Sequence, residues 1–277
     1  IDADGLQALL ASSRPPRLLD VRYRLDRPDG RPEYLAGHLP GAVYVDMEHE
    51  LSQHGEPSEG RHPLPPVAAL QRSARAWGIR SGDAVVVYDD ASSLGASRAW
   101  WMLRGAGLRE VRVLDGGLSA WTDAGLPLEP GEVHPAEGDV TLTDYAFAAI
   151  DIDQAAAWPA SGVLVDVRAA PRYRGEVEPY DPIAGHIPGA VNVPSASYMT
   201  NGRFRDPAAI RAVFADAVAD AGAAADAPVA AYCGSGVTAA QAALAAEVAG
   251  LGISVYPGSW SAWSNTPGRP VATGPQP

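Results

Sequence analysis

Of 277 residues only one, Cys233, carries a thiol. It stands directly after the apolar run 228–232 and before Gly234-Ser235-Gly236-Val237-Thr238, which leads into the alanine-rich stretch 239–244. That order reads as strand, small-residue loop and helix. The two glycines let the backbone curl so that successive N–H groups point inward, and a helix beginning near Thr238 adds its positive end to the same place. A thiol so placed ionises readily and becomes a nucleophile, and the same nest would hold a negatively charged sulfur adduct. Gly234, Gly236, Val237 and Thr238 are therefore candidate backbone ligands for whatever binds at Cys233. A free cysteine closing a strand also fits simple burial as a small hydrophobe.

Composition narrows the chemistry further. A single cysteine permits no intrachain disulfide and no Cys-rich zinc or iron–sulfur site. All 21 basic residues are arginine, which excludes a Schiff-base lysine, a pyridoxal phosphate anchor and the lysine of a P-loop. His49, His54, His62 and His134 lie in polar or proline-rich stretches without ligand spacing, so the sequence predicts no metal and no cofactor. The formal charge of -12 opposes nucleic-acid binding. No apolar run approaches a membrane span, and the N-terminal residues lack the pattern of a signal peptide, so a cytoplasmic location is expected.

The elements that must hold Cys233 occur twice. Leu18-Leu19-Asp20-Val21-Arg22 returns as Leu164-Val165-Asp166-Val167-Arg168, and Ala36-Gly37-His38-Leu39-Pro40-Gly41-Ala42-Val43 returns as Ala184-Gly185-His186-Ile187-Pro188-Gly189-Ala190-Val191. Val86-Val87-Tyr88-Asp89 matches Ala230-Ala231-Tyr232-Cys233, and Ser119-Ala120-Trp121 matches Ser261-Ala262-Trp263. At this period the repeated unit is a whole domain. Residues 1–126 and 151–277 are the expected copies, and the Pro- and Gly-rich segment 127–150 the linker. Within them, strands expected at 84–88, 111–114, 162–167, 190–193, 229–232 and 253–256 alternate with helices at 94–104, 118–123, 207–220 and 238–249. Such alternation implies an α/β fold, each copy a parallel sheet flanked by helices on both faces, with ligands at the carboxyl ends of its strands. Asp89 replaces the cysteine in the first copy, so the two copies share a scaffold while one offers the nucleophile.

The segment Tyr34 to Val45, the strand-terminal Cys233 loop and the segment Tyr256 to Trp263 together resemble the tandem rhodanese-domain sulfurtransferases, over roughly residues 18–270. The resemblance implies that the C-terminal domain is catalytic and the first is not. The neutral run Cys233-Gly234-Ser235-Gly236-Val237-Thr238 is similar to that of 3-mercaptopyruvate sulfurtransferases, whereas thiosulfate-specific members carry charged residues after the cysteine. By that likeness Arg172, with Arg174 as second choice, meets the carboxylate of the donor. Tyr180 stands where the family usually has another arginine. Ser235 is expected to act with a histidine and an aspartate, for which His38 and Asp29 are the best matches. His38 and His186, however, share one repeated turn, which favours a structural role for both, and Asp20 with Arg22 and Asp166 with Arg168 are expected as structural ion pairs. Trp100 and Trp101 are expected in packing, and Trp260 and Trp263 either in the core or walling the site.

The expected reaction is a double displacement through a Cys233 persulfide, with pyruvate released. The sulfur then passes to a thiol acceptor such as thioredoxin or a small thiol, or to cyanide. Thiosulfate:cyanide sulfur transfer is the alternative, and a non-catalytic sulfur-carrier or regulatory module a second. A Cys-x5-Arg phosphatase is disfavoured, because Ala239 stands where the arginine would be.

Overall fold

The computed structural model describes residues 1–277. Packing divides the chain into two units, Ile1–Gln53 with Leu64–Phe147 and Asn201–Arg203, and His54–Pro63 with Ala148–Thr200 and Phe204–Pro277. The units therefore differ from a simple cut along the sequence. The ten residues His54–Pro63, expected in the first copy, pack within the second unit.

The first unit runs α1 (Ala3–Leu10), β1 (Arg17–Asp20), α2 (Arg31–Ala36), β2 (Val43–Tyr44), α3 (Val67–Ala76), β3 (Val85–Tyr88), α4 (Leu94–Gly105), β4 (Val111–Val113) and α5 (Gly117–Asp123). Its four strands are parallel in the order β2-β1-β3-β4. The second unit runs α6 (Ile152–Ala157), β5 (Val163–Asp166), α7 (Ala170–Tyr173), β6 (Ala190–Asn192), the short pair β7 (Met199–Thr200) and β8 (Arg203–Phe204), of which Arg203 is counted with the first unit, then α8 (Pro207–Asp220), β9 (Val229–Tyr232), α9 (Val237–Val248), β10 (Ser254–Val255) and α10 (Ser259–Ser264). Its main sheet has the equivalent order, β10-β9-β5-β6, again all parallel. Continuous apolar strands such as Val85–Tyr88, buried at every position, are what a sheet covered on both faces requires.

The repeated residues do the same work in both units. Leu18, Leu39, Ala42, Tyr88 and Trp121 lie in one core, and their counterparts Leu164, Ile187, Ala190, Tyr232 and Trp263 in the other. The Tyr88 hydroxyl accepts from Leu39 N–H at 3.0 Å, and that of Tyr232 from Ile187 N–H at 3.0 Å. Asp20 pairs with Arg22, whose Nη2 also donates to Gly37 O; Asp166 pairs with Arg168, whose Nη2 donates to Gly185 O. Burying a charge pair costs desolvation free energy unless hydrogen bonds complete it. Here they do, and the pairs fix the strand-end turn rather than reach for a ligand.

The first unit fills its own anion nest. Asp89, at the position equivalent to Cys233, accepts from the N–H groups of Ala91 and Ser93 at 2.9 Å and of Ala96 at 3.0 Å. Burial pushes its carboxyl from 3.8 up to about 6, against the pull of those three donors. A carboxyl raised on folding binds its proton more tightly in the folded state, so stability falls as pH rises from about 4 to about 6 and levels off above. The window is worth roughly 3 kcal/mol. Asp89→Asn removes that titration. The unfolding midpoint of the wild-type chain should therefore drop relative to the variant's between pH 4 and pH 6.5, and parallel profiles would show that Asp89 does not titrate there.

Candidate active site

Strand β9 delivers Cys233 to the carboxyl end of the second sheet, and α9 begins four residues later. The thiol is 2% exposed, and Gly236 N–H donates to its Sγ at 3.1 Å. Gly236 has φ +87°, and a Cβ there would run into Pro257 O, so the loop can close under the sulfur only with glycine at this position.

The start of α10 clamps the loop from the other side. Trp260 N–H donates to Cys233 O at 2.9 Å and Ser261 N–H to Gly234 O at 2.8 Å. Ser259 Oγ accepts from Cys233 N–H at 3.1 Å, donates to Tyr256 O at 2.9 Å and lies 3.9 Å from Sγ. Ser259 has φ +55°, a left-handed conformation that costs a non-glycine residue about 1 kcal/mol. The matching residue of the first unit is Gly117, also at φ +55°. A serine in place of that glycine puts a hydroxyl beside the sulfur at the expense of backbone strain.

Charged and titratable groups gather on the same loop from three segments of the unit. His62 Nδ1 is 2.7 Å from Ser235 Oγ, and both side chains are buried. From α7, Arg172 Nη2 bonds Glu178 Oε1 at 2.7 Å and lies 3.4 Å from Asp181 Oδ2. Arg61 also pairs with Asp181. A Cβ built on Gly234 would sit 3.0 Å from Arg61 Nη2 and 3.3 Å from Arg172 Nη1, so the absent side chain leaves both guanidiniums against the loop next to Cys233. The Tyr180 ring lies against both, 5.2 Å from the Arg172 guanidinium carbon and 5.7 Å from that of Arg61. Burial pushes the Asp181 carboxyl above the usual carboxylate range, and the Arg61 charge works against that shift.

Several expected residues thus come together at Cys233: Gly234, Ser235 and Gly236 in the loop, Val237 opening α9 and Thr238 after it, and Arg172 beside them. Arg174 turns to Glu176 in an exposed pair at 2.7 Å and does not join Arg172. The histidine on Ser235 is His62 and not His38, which corrects the match to the family's histidine. His38 is buried in the first unit, stacked on Tyr34 with its Nδ1 2.9 Å from Tyr34 O; His186 repeats the arrangement on Tyr173 at 2.8 Å. Asp29 accepts from Arg31 N–H at 2.9 Å ahead of α2. Trp260 and Trp263 are core residues, and Trp101 stacks on Phe147.

Sequence reasoning missed Arg61, His62, Asp181 and Ser259. Two signals were present. The connection 45–66 between β2 and α3 is long for a compact α/β unit, and such loops are commonly functional. Ser259 stands where the other copy has glycine.

A cysteine nucleophile in a glycine loop, on the second of two duplicated parallel sheets, defines the class of protein. The Rhodanese-like domain family model matches residues 2–124 and 151–266. The chain belongs to that family, with two such domains, and is a sulfurtransferase. It is 47% identical over 278 residues to the putative thiosulfate sulfurtransferase SseB of Mycobacterium tuberculosis, covering 99% of this chain and 96% of that protein. To the probable 3-mercaptopyruvate sulfurtransferase of Pseudomonas aeruginosa it is 43% identical, over 97% of this chain and 96% of the relative. The crystal structure of SseA from Escherichia coli, described as a 3-mercaptopyruvate sulfotransferase, superposes with a TM-score of 0.80 at 32% identity, covering 94% of this chain and 98% of that one. No helix is long and apolar enough to cross a membrane.

Proposed function

We propose that the chain moves sulfur from 3-mercaptopyruvate to a thiol or cyanide acceptor through a persulfide on Cys233, releasing pyruvate. The first domain then serves as support, since Asp89 cannot act as a sulfur nucleophile. The observation that carries the choice of donor is the buried contact of His62 with Ser235, two residues beyond the nucleophile, at 2.7 Å.

The chemistry explains why that contact matters. The Cys233 thiolate attacks the donor sulfur, an S–S bond forms, and the C–S bond breaks with its electron pair going to carbon. The leaving group is the enolate of pyruvate, which takes up one proton at that carbon. Sulfur is oxidised from the thiol to the sulfane level while the carbon is reduced from CH2–S to CH3, so no outside oxidant is required. The pyruvate enolate is a far stronger base than sulfite, so a proton supplied as it departs assists the cleavage, and Ser235 with His62 behind it is a suitable relay. Sulfite, the leaving group from thiosulfate, departs as an anion and needs none. Gly236 N–H is placed to stabilise the negative persulfide. Arg172 is the arginine assigned to the donor carboxylate.

Thiosulfate remains the second reading, favoured by the two guanidiniums beside Gly234, which suit a sulfonyl dianion. Two carboxylates, Glu178 and Asp181, balance those charges, and a balanced cluster favours a monoanionic donor. Comparing kcat/KM for the two donors, with pyruvate followed for mercaptopyruvate and sulfite for thiosulfate, decides between them. Mercaptopyruvate should be preferred. A tenfold preference for thiosulfate would overturn the donor assignment and leave the persulfide step standing. Thioredoxin, a small thiol and cyanide are the acceptors to compare in the second half-reaction.

A further inference from the structure

The segment 176–183, between α7 and β6, is built inside out. Its buried carboxylates turn inward: Glu178 bonds Arg172 Nη2 at 2.7 Å and Arg168 Nη1 at 3.1 Å, and Asp181 pairs with Arg61. Its apolar side chains turn to solvent, with Val177 51%, Tyr180 49% and Ile183 44% exposed. Few large apolar side chains of this chain are exposed at all, and these three fall within seven consecutive residues. Scattered singly, such residues need no explanation; grouped on one surface, they mark a contact.

The group is held in place before anything covers it. Glu178 Oε1 also accepts from Tyr180 N–H at 3.2 Å and from Asp181 N–H at 3.3 Å, so one carboxylate pins the turn as well as two arginines. Farther on, Ile183 O accepts from Trp260 Nε1 at 2.9 Å, which ties the segment to α10. A surface ordered beforehand loses little freedom on binding.

The same surface runs up to the nucleophile. Tyr180 lies against the Arg61 and Arg172 guanidiniums, which in turn abut Gly234, the residue after Cys233. Cys233 is buried, and a persulfide carries its outer sulfur only one S–S bond, about 2 Å, beyond Sγ. An acceptor thiol must therefore be brought to this loop and held there. Local charge permits the approach: the chain carries a formal -12, yet here Arg61, Arg172 and Arg174 are matched by Asp181, Glu178 and Glu176.

On the basis of the Cys233 persulfide, we infer that Val177, Tyr180 and Ile183 form the docking surface of a protein acceptor, one that presents a dithiol from an apolar face. The first acceptor thiolate attacks the outer sulfur, and the S–S bond to Cys233 breaks with its electron pair returning to Cys233. The second acceptor thiolate attacks the inner sulfur of the persulfide so formed and expels the outer one. The dithiol is oxidised to a disulfide, the sulfane sulfur is reduced to sulfide, and the two thiol protons leave on hydrogen sulfide.

The test follows sulfide release at saturating mercaptopyruvate with two dithiols, reduced thioredoxin as the protein probe and dithiothreitol as the small one. Val177→Ser, Ile183→Ser and the double variant change exposed side chains only; Tyr180 is kept, because its ring lies against Arg172. kcat/KM for thioredoxin should fall about 3- to 10-fold in each single variant and about 10- to 100-fold in the double, the scale of losing half-exposed apolar anchors from an interface. kcat/KM for dithiothreitol should stay within about twofold of wild type, as for substitutions on an open surface. The mass gain at Cys233 with donor alone should be unchanged. Equal losses on the two dithiols would make the segment a support of the site and overturn the inference, as would an undiminished rate with thioredoxin, or a wild-type enzyme that uses dithiothreitol and not thioredoxin. If the wild-type chain gained no sulfur at Cys233, the persulfide reading would fail instead, an outcome visible before any acceptor is added.

Discussion

Cys233→Ser abolishes sulfur transfer from either donor, with a loss of at least about 10^4-fold, the scale on which removing a covalent nucleophile leaves only binding and electrostatic effects. The expectation follows from the chain holding a single sulfur nucleophile, so that no second cysteine can take over. Serine at this position can keep the Gly236 N–H interaction and the surrounding packing, yet it cannot form a stable bond to sulfane sulfur. Incubating the wild-type protein with donor and no acceptor should add about 32 Da, one sulfur atom, to the peptide containing Cys233. The serine variant should add nothing. Retention of even a few per cent of the wild-type rate, or a mass gain in the variant, would remove the persulfide from the mechanism for both donors at once.

What made this site readable in advance was local. The strand, loop and helix around Cys233 are contiguous in the chain, and apolar period with small-residue punctuation locates them: the expected strand 229–232 and helix 207–220 match Val229–Tyr232 and Pro207–Asp220. Duplication helped as well, because a residue kept in both copies, such as His38 with His186, is marked as part of the shared scaffold. Arg61 and His62 were not readable in this way. They reach the nucleophile loop from a connection some 170 residues earlier that has neither helical nor strand period, and only tertiary packing brings them to Gly234 and Ser235. The likeness to a family that pairs its loop serine with a histidine and an aspartate pointed to His38. In the fold, stacking on Tyr34 and the approach to Tyr34 O account for that imidazole.

Arg172→Ala is the second large effect, a fall of about 10^2- to 10^3-fold in kcat/KM for mercaptopyruvate, equivalent to about 3 to 4 kcal/mol for removing a fork-shaped, charge-assisted interaction from a partly buried site. The side chain is 16% exposed and already oriented: Nε and Nη2 both bond Glu178, so its rotamer freedom is spent on folding rather than on binding. That preorganisation is why the effect should exceed what a free surface arginine would give. Removing Arg172 also strips a partner from Glu178, whose carboxylate is 3% exposed, but Arg168 Nη1 remains 3.1 Å away to neutralise it. The variant should therefore fold, with a thermal midpoint lowered by a few degrees, since depriving a still-paired buried carboxylate of one partner costs on the order of 1 to 2 kcal/mol. Arg172→Lys keeps the charge but cannot bridge Glu178 and the donor at once, and should recover less than a tenth of the activity. Persulfide formation measured by mass at saturating donor should still be complete in both variants, because Cys233 and Gly236 are untouched. A fall of less than threefold in kcat/KM for the alanine variant would place the donor carboxylate against other residues.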